Sequence, residues 1–447
     1  MQAYAPATVV AARLDRLPVT WLHVIIVGVC GVGFFFDLFE VVLGNALSVV
    51  FSTPPHVATA RELSLLLSSL YVGAAVGAPV CGFLADRYGR KTVLTALLFW
   101  LTFSSICAAA SSGIATLTVF RGLTGVAIGA YWPLVVAYLT DILPPRRRGT
   151  LIFAMVAVGT LGSVGGISVL RWLTIMQPFG FEGWRCALLL GGIGSCVAAV
   201  VFLFLPESAR WLEARGDSAF AEKACTRFER SLGILRGRFA SSAQAALPVA
   251  RIGEPGPVTS GRRQVAIFGM LFALSPWSTV AFPLMTGVVL VQRGYGLKDV
   301  LLYMTFSFLG PFVGVMSAST IVDAIGRRAA MVVSALVMIA SGYAFCVTPE
   351  RSLLVAAGFA YTFFCVVYVT TLNIYSSEIF STRARASSLS LAWSLNRIGA
   401  AVAPATLLPI LHRSGPVTMF LLIALTLVVS TILLCVAPRS RSCEPVR

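Results

Sequence analysis

The sequence predicts an all-α polytopic membrane protein, with twelve transmembrane helices in two pseudo-symmetric six-helix bundles. Three observations predict it. Of the 447 residues, 57% are hydrophobic and 12% charged, about half the charged share of an average soluble domain. Twelve apolar runs each offer the roughly 20 residues that a helix needs to cross a bilayer. Two motifs recur with one offset of 237 residues. A mean hydropathy of +0.88 excludes a chain of soluble domains, because so little polar surface could not cover several cores. It excludes disorder as well. Cysteines such as Cys30, Cys107 and Cys365 lie inside apolar runs, without the spacing of a disulfide scaffold or a zinc site. No metal is expected.

The spans read in order as 21–50, 63–85, 92–112, 114–141, 150–172, 185–205, 263–290, 299–322, 328–347, 352–378, 386–411 and 415–437. The first is too long for the apolar core of a signal peptide and carries two acids. The chain divides into a first bundle at 1–205, a linker at 206–262 and a second bundle at 263–447. The linker mixes acids and bases with Ala, Ser, Gly and Pro. It reads as a solvated connection with a surface helix from Ser218 to Phe239, or as a docking site for a partner. Glycine-rich spans suit close packing in a membrane, and Trp100, Trp172 and Trp184 suit its interfaces.

Orientation follows from Lys and Arg. With both termini in the cytoplasm, 25 of these residues fall inside and seven outside, while Arg121 and Arg397 lie within spans. The positive-inside rule therefore expects cytoplasmic termini in an inner membrane. The net charge of +16 comes from these clusters, so nucleic acid is not an expected partner.

The repeat sets the architecture. GAPVCGFLADRYGRK at 77–91 aligns with GVMSASTIVDAIGRR at 314–328, placing Asp86 on Asp323 and Arg90 on Arg327. YLTDILPPRRRG at 138–149 aligns with YSSEIFSTRARA at 375–386, placing Asp141 on Glu378 and Arg148 on Arg385. Parallel six-helix halves are a known transporter plan. These eight charges face the cytoplasm at tight turns. Asp86 can meet a positive helix end or an arginine of the other half. They read as latches that form and break as that face closes and opens, or else only as topology signals and helix caps.

The motifs are specific. GFLADRYGRK at 82–91, RGLTGVAIGAYWPL at 121–134 and PESARWL at 206–212 resemble the signatures of the major facilitator superfamily. GFFFDLFEVVLGNAL at 33–47 resembles the acidic first-span motif of aromatic-acid and metabolite:proton symporters, with Glu40 for the usual second Asp and Leu38 for Gly. SLNRIGAAVAP at 394–404 resembles their eleventh span. The resemblance implies the superfamily fold, a monomer, and transport driven by the proton gradient without a cofactor.

A charge inside a span is a functional candidate, since alone it costs at least a few kcal/mol. Asp37 lies about 24 Å along span 1, and Glu40 is one turn on. Arg121 lies about 10 Å into span 4 from the outside, so the three share a depth. An acid paired with Arg121 stays ionised, and the same acid unpaired takes a proton. This is a coupling device, or a static pair joining two spans. Arg397 lies about 17 Å into span 11, near the midplane, with Trp393 one turn away and Asn396 beside it. No acid of the second bundle reaches that depth, so a substrate carboxylate is the expected partner; a packing arginine bonded to carbonyls is the other reading. Asn45, Tyr131, Trp277 and Tyr368 are further cavity candidates.

No nucleotide-binding or hydrolase motif is present, so neither an enzyme nor a primary pump is expected, and no residue is assigned a catalytic role. The function expected is proton-coupled symport of a small organic anion, aromatic or otherwise carboxylic. A sugar or polyol:proton symporter and proton-driven drug or metabolite efflux are the alternatives in transport, and a ligand-sensing receptor is the alternative outside it.

Overall fold

The computed structural model describes residues 9–145, 147–233, 262–379 and 385–437; within them the side chains of Asp323, Glu378 and Arg385 lie outside what is described. Every regular element among the described residues is helical. Spans 1 to 6 are Trp21–Phe51, Ala60–Tyr88, Arg90–Ala109, Ile114–Ile142, Arg148–Met176 and Gly183–Leu203. Span 7 runs from Arg262–Pro276 through a five-residue π-turn, Trp277–Ala281, into Phe282–Gln292. Span 8 is Leu297–Ser307 continued by Leu309–Ile325, and spans 9 and 10 are Arg327–Val347 and Arg351–Ile379. The last helical run, Arg385–Val436, is broken at Gly415, where φ is +83°. A left-handed residue ends a helix and is tolerated best as glycine. That break makes spans 11 and 12.

Backbone contact explains the glycines of the fourth-span motif. Spans 2 and 4 cross so closely that a Cβ on Gly125 would run into the Leu70 carbonyl, and one on Gly129 into that of Ala74. Small residues are what permit such approach in a membrane, where apolar burial alone drives little association. The crossing repeats at the internal offset. A Cβ on Gly73 would strike Gly122 O and one on Gly77 Val126 O; in the second half Gly310 meets Phe359 O and Gly314 meets Phe363 O. All eight positions pair at 237 residues. The turns repeat likewise: Gly89 and Gly326 both have positive φ, +105° and +82°, each three residues after Asp86 or Asp323.

Two parts depart from the sequence reading. The first section of the linker is not a solvated connection. It folds into Ala209–Ala214 and Ser218–Gly233 and docks under the first bundle. There it meets a helix not anticipated, Val9–Arg16: Arg13 is bonded to Glu222 and Glu229, and Asp15 to Arg210. The flanking carboxylates hold the Arg13 guanidinium above its ordinary range. His23, near the start of span 1, is fully buried, with Nδ1 against Thr20 Oγ1 and its ring 4.8 Å from Phe228. Trp184 is not at an interface but 4% exposed inside the protein.

Candidate substrate and coupling site

Span 1 carries two acids with different neighbours. Glu40 faces span 4 and is bound there. Arg121 Nη1 donates to Glu40 Oε2 at 2.8 Å and Nη2 donates to the Glu40 backbone carbonyl at 2.7 Å. Both residues are sealed, at 0% and 1% exposure. The pair is fitted by two glycines: a Cβ on Gly44 would crowd Arg121 Nη2, and one on Gly191 would crowd Glu40 Oε1. A buried pair so enclosed is a fixed joint between spans 1, 4 and 6.

Asp37 is not part of that joint. A shared depth does not make a shared partner, since three residues along a helix rotate by about 60°. Asp37 is 3% exposed, and its Oδ1 has no hydrogen-bond partner among the described residues. Its electrostatic partner is Arg397 of span 11. The two are farther apart than the 4 Å of an ion pair. Tyr71 of span 2, unremarked in the sequence, is the other group that Arg397 feels. Arg397 is only half-buried. It stands 5.7 Å over the Trp393 ring and forms no hydrogen bond or ion pair with the described residues. No acid of the second bundle was expected at the depth of Arg397; the acid within its electrostatic reach comes from the other bundle.

The remaining candidates separate. Asn396 is engaged within the second bundle. Its Nδ2 donates to Ser275 Oγ at 2.9 Å and Phe272 O at 3.3 Å, tying span 11 to span 7 just before the π-turn. The turn frees carbonyls, and span 10 satisfies them: Tyr361 Oη donates to Ser278 O and Cys365 Sγ to Thr279 O. Trp277 is half-buried at the start of that turn. Tyr131 donates to Cys30 O at 3.2 Å and packs along Phe34. Tyr368 is fully buried in the second bundle. Asn45, two turns from Asp37, is 4% exposed with an unpartnered Oδ1.

The charges read as latches join within the first bundle. Arg90 is ion-paired with Asp141, which also accepts from Ser208 Oγ at 2.8 Å. Arg148 Nη2 donates to Leu143 O. Glu207, not singled out from the sequence, caps span 3: its carboxylate accepts from Lys91 N at 2.9 Å and Thr92 N at 3.2 Å. Asp86 is exposed and offers its carbonyl to Trp211 Nε1. In the second bundle Arg327 Nη1 approaches Val322 O, while the Asp323, Glu378 and Arg385 side chains lie outside the described residues. The signal for Glu207 was present in PESARWL, an acid immediately before a helix and close in space to a glycine turn.

Residues 25–404 match the Major Facilitator Superfamily. The chain belongs to this superfamily. Its relatives include the putative metabolite transport protein YyaJ of Bacillus subtilis, 27% identical over 88% of this chain and 87% of that protein. The niacin transporter NiaP of Acinetobacter baylyi is 25% identical over 88% of each. Among solved structures, the partially occluded inward-open xylose transporter XylE of E. coli superposes with a TM-score of 0.71 at 17% identity, covering 95% of this chain and 99% of that one. That likeness is one of fold. The protein is a membrane-spanning transporter of the superfamily and not an enzyme.

Proposed function

We propose that this superfamily member is a proton-coupled symporter of a small organic anion, best fitted to an aromatic carboxylate, in an inner membrane with both termini cytoplasmic. One observation carries the reading: Arg397 stands half-buried and unpaired among the described residues, within electrostatic reach of Asp37 and Tyr71 of the other bundle. A guanidinium offers a planar fork that matches a carboxylate. The other intramembrane arginine, Arg121, is already paired with Glu40. The niacin transporter among the relatives carries an aromatic carboxylate by its name.

Coupling follows from competition. With the gap empty, Arg397 is the counter-charge of Asp37. A substrate carboxylate that takes Arg397 leaves Asp37 beside a second negative group in a water-poor space. A carboxyl so placed takes up a proton. Anion and proton then load together, and the neutralised site can be carried through the rocking of the bundles. Asp86, Arg90, Asp141, Arg148, Asp323, Arg327, Glu378 and Arg385 act in this scheme as the charges that set the cytoplasmic face.

Uptake of labelled nicotinate and benzoate into proteoliposomes under an imposed inward proton gradient tests the proposal. Wild type should concentrate at least one of them, and Arg397→Ala should lose that uptake by at least tenfold while remaining a folded monomer. Uptake that ignores the gradient, or that Arg397→Ala leaves unchanged, contradicts it.

A further inference from the structure

The linker helix Ser218–Gly233 divides its surface into three. Ala221, Ala224, Cys225 and Phe228 are buried, at the three- and four-residue spacing of one helix face. Glu222 and Glu229 lie to one side of that face, where Arg13 takes both carboxylates. To the other side, Phe220, Lys223, Arg227 and Arg230 follow at intervals of three, four and three residues, and all are exposed. Such spacing aligns them in one stripe. The stripe holds three cations and an aromatic ring but no acid; Asp217 precedes the helix. The Lys223 ammonium stands 5.5 Å from the centre of the Phe220 ring, which is 61% exposed.

A second observation places the stripe. Arg227 Nη2 donates to Phe204 O at 2.8 Å, and Lys91 Nζ donates to the neighbouring Leu203 O at 3.0 Å. These carbonyls close the last turn of span 6. The outer face of that span, Ile193, Val197, Val200 and Phe204, is apolar and exposed along its length. In a chain that crosses a bilayer, such a face meets acyl chains. The basic stripe therefore begins where the lipid-facing surface stops, at the level of the headgroups. Lysine and arginine at that level lay their stems along apolar surface and hold their charges toward phosphate. An aromatic ring suits the same level.

We propose that the stripe binds anionic phospholipid headgroups of the leaflet on the linker's side. Lys223 and Arg230 take phosphate oxygens, Arg227 divides its guanidinium between a headgroup and the end of span 6, and Phe220 enters the boundary between headgroups and acyl chains. The linker helix, packed on protein by one face and on lipid by the next, then holds the foot of the first bundle at the membrane surface. A soluble acidic protein would match the charge, but not the bond that joins the stripe to the lipid-facing end of a span. The docking is independent of what the protein carries.

The test is equilibrium binding of phosphatidylglycerol to the purified full chain in a neutral detergent, with phosphatidylcholine as the zwitterionic comparison. Wild type should prefer phosphatidylglycerol, and the preference should shrink as salt rises. Lys223→Gln combined with Arg230→Gln leaves the Arg227 bond in place, and should cut the preference by roughly tenfold, the effect of two basic residues at a membrane surface, at an unchanged melting temperature. Arg351→Gln combined with Arg413→Gln removes the same charge from exposed positions at the ends of spans 10 and 11 away from the linker, and should change nothing. Phe220→Ser removes an exposed ring without touching a charge, and should weaken binding of both lipids several-fold. A double variant that keeps the wild-type preference, a control pair that loses as much, or unchanged binding in Phe220→Ser overturns the proposal. Displacement of phosphatidylglycerol by inorganic phosphate alone would make this a site for a free anion, and no preference in wild type would leave the stripe to an acidic protein; either result overturns it as well.

Discussion

Two carboxyl groups one turn apart on span 1 have different neighbours, and their substitutions should differ accordingly. Glu40 is half of a sealed ion pair. Removing one partner of such a pair leaves an uncompensated buried charge, which costs about 3–5 kcal/mol. Glu40→Gln should therefore yield little folded protein and a clearly lowered melting temperature. Asp37 has no bonded partner to abandon among the described residues. Asp37→Asn should fold normally, lose accumulation driven by the proton gradient, and keep exchange of substrate across the membrane, since exchange needs no net proton movement. Melting curves and a paired uptake and counterflow assay check both. The four intramembrane charges were legible in the sequence because a charge in an apolar run has few innocent explanations. Which acid meets which arginine was not legible. Position along a helix gives depth, but the pairing depends on azimuth and on which neighbour lies there. Tyr71 was invisible for a simpler reason: a tyrosine in a span is ordinarily packing.

At the level of elements, the repeat was the most readable feature. Gly73, Gly77, Gly310 and Gly314 are fixed by backbone approach, and such a constraint tolerates no side chain, so it leaves a mark at constant offset. The linker helix from Ser218 was expected, with residues 234–239 of the expected range outside the described residues, but its docking and the helices Ala209–Ala214 and Val9–Arg16 left no comparable mark, because such short, charged segments could equally have been solvated. Glu207 links these elements to the spans. Its carboxylate accepts from two backbone N–H groups at the start of span 3, and hydrogen bonds to a charged group contribute about 1.5–3 kcal/mol each. Glu207→Ala should lower the melting temperature by several degrees, with Glu207→Gln intermediate. Equal melting of all three proteins would show that the cap is dispensable.

Across the whole molecule, the described contacts between the bundles gather at the face opposite the linker. Val49 of span 1 abuts Gly287 of span 7, Ser64 Oγ donates to Pro404 O, and Arg171 Nε to Lys298 O. These contacts bridge the bundles on that face. If the bundles rock about the Asp37–Arg397 gap, these contacts must open once per cycle. Joining Val49→Cys to Gly287→Cys by oxidation should arrest transport, and reduction should restore it, with neither single variant responding. Transport that continues through a complete cross-link would mean that this face does not move.

Discrimination between an acid and its neutral amide reads whether Arg397 holds the anionic group of the substrate. Affinities of wild type, Arg397→Lys and Arg397→Ala should be compared for benzoate with benzamide and for nicotinate with nicotinamide. Wild type should prefer the acid by at least tenfold, Arg397→Lys should recover only part of the preference because an ammonium lacks the planar fork, and Arg397→Ala should abolish it. Preference of wild type for the amide, or an Arg397→Ala variant that still selects the acid as wild type does, would contradict the account and favour a neutral substrate such as a sugar.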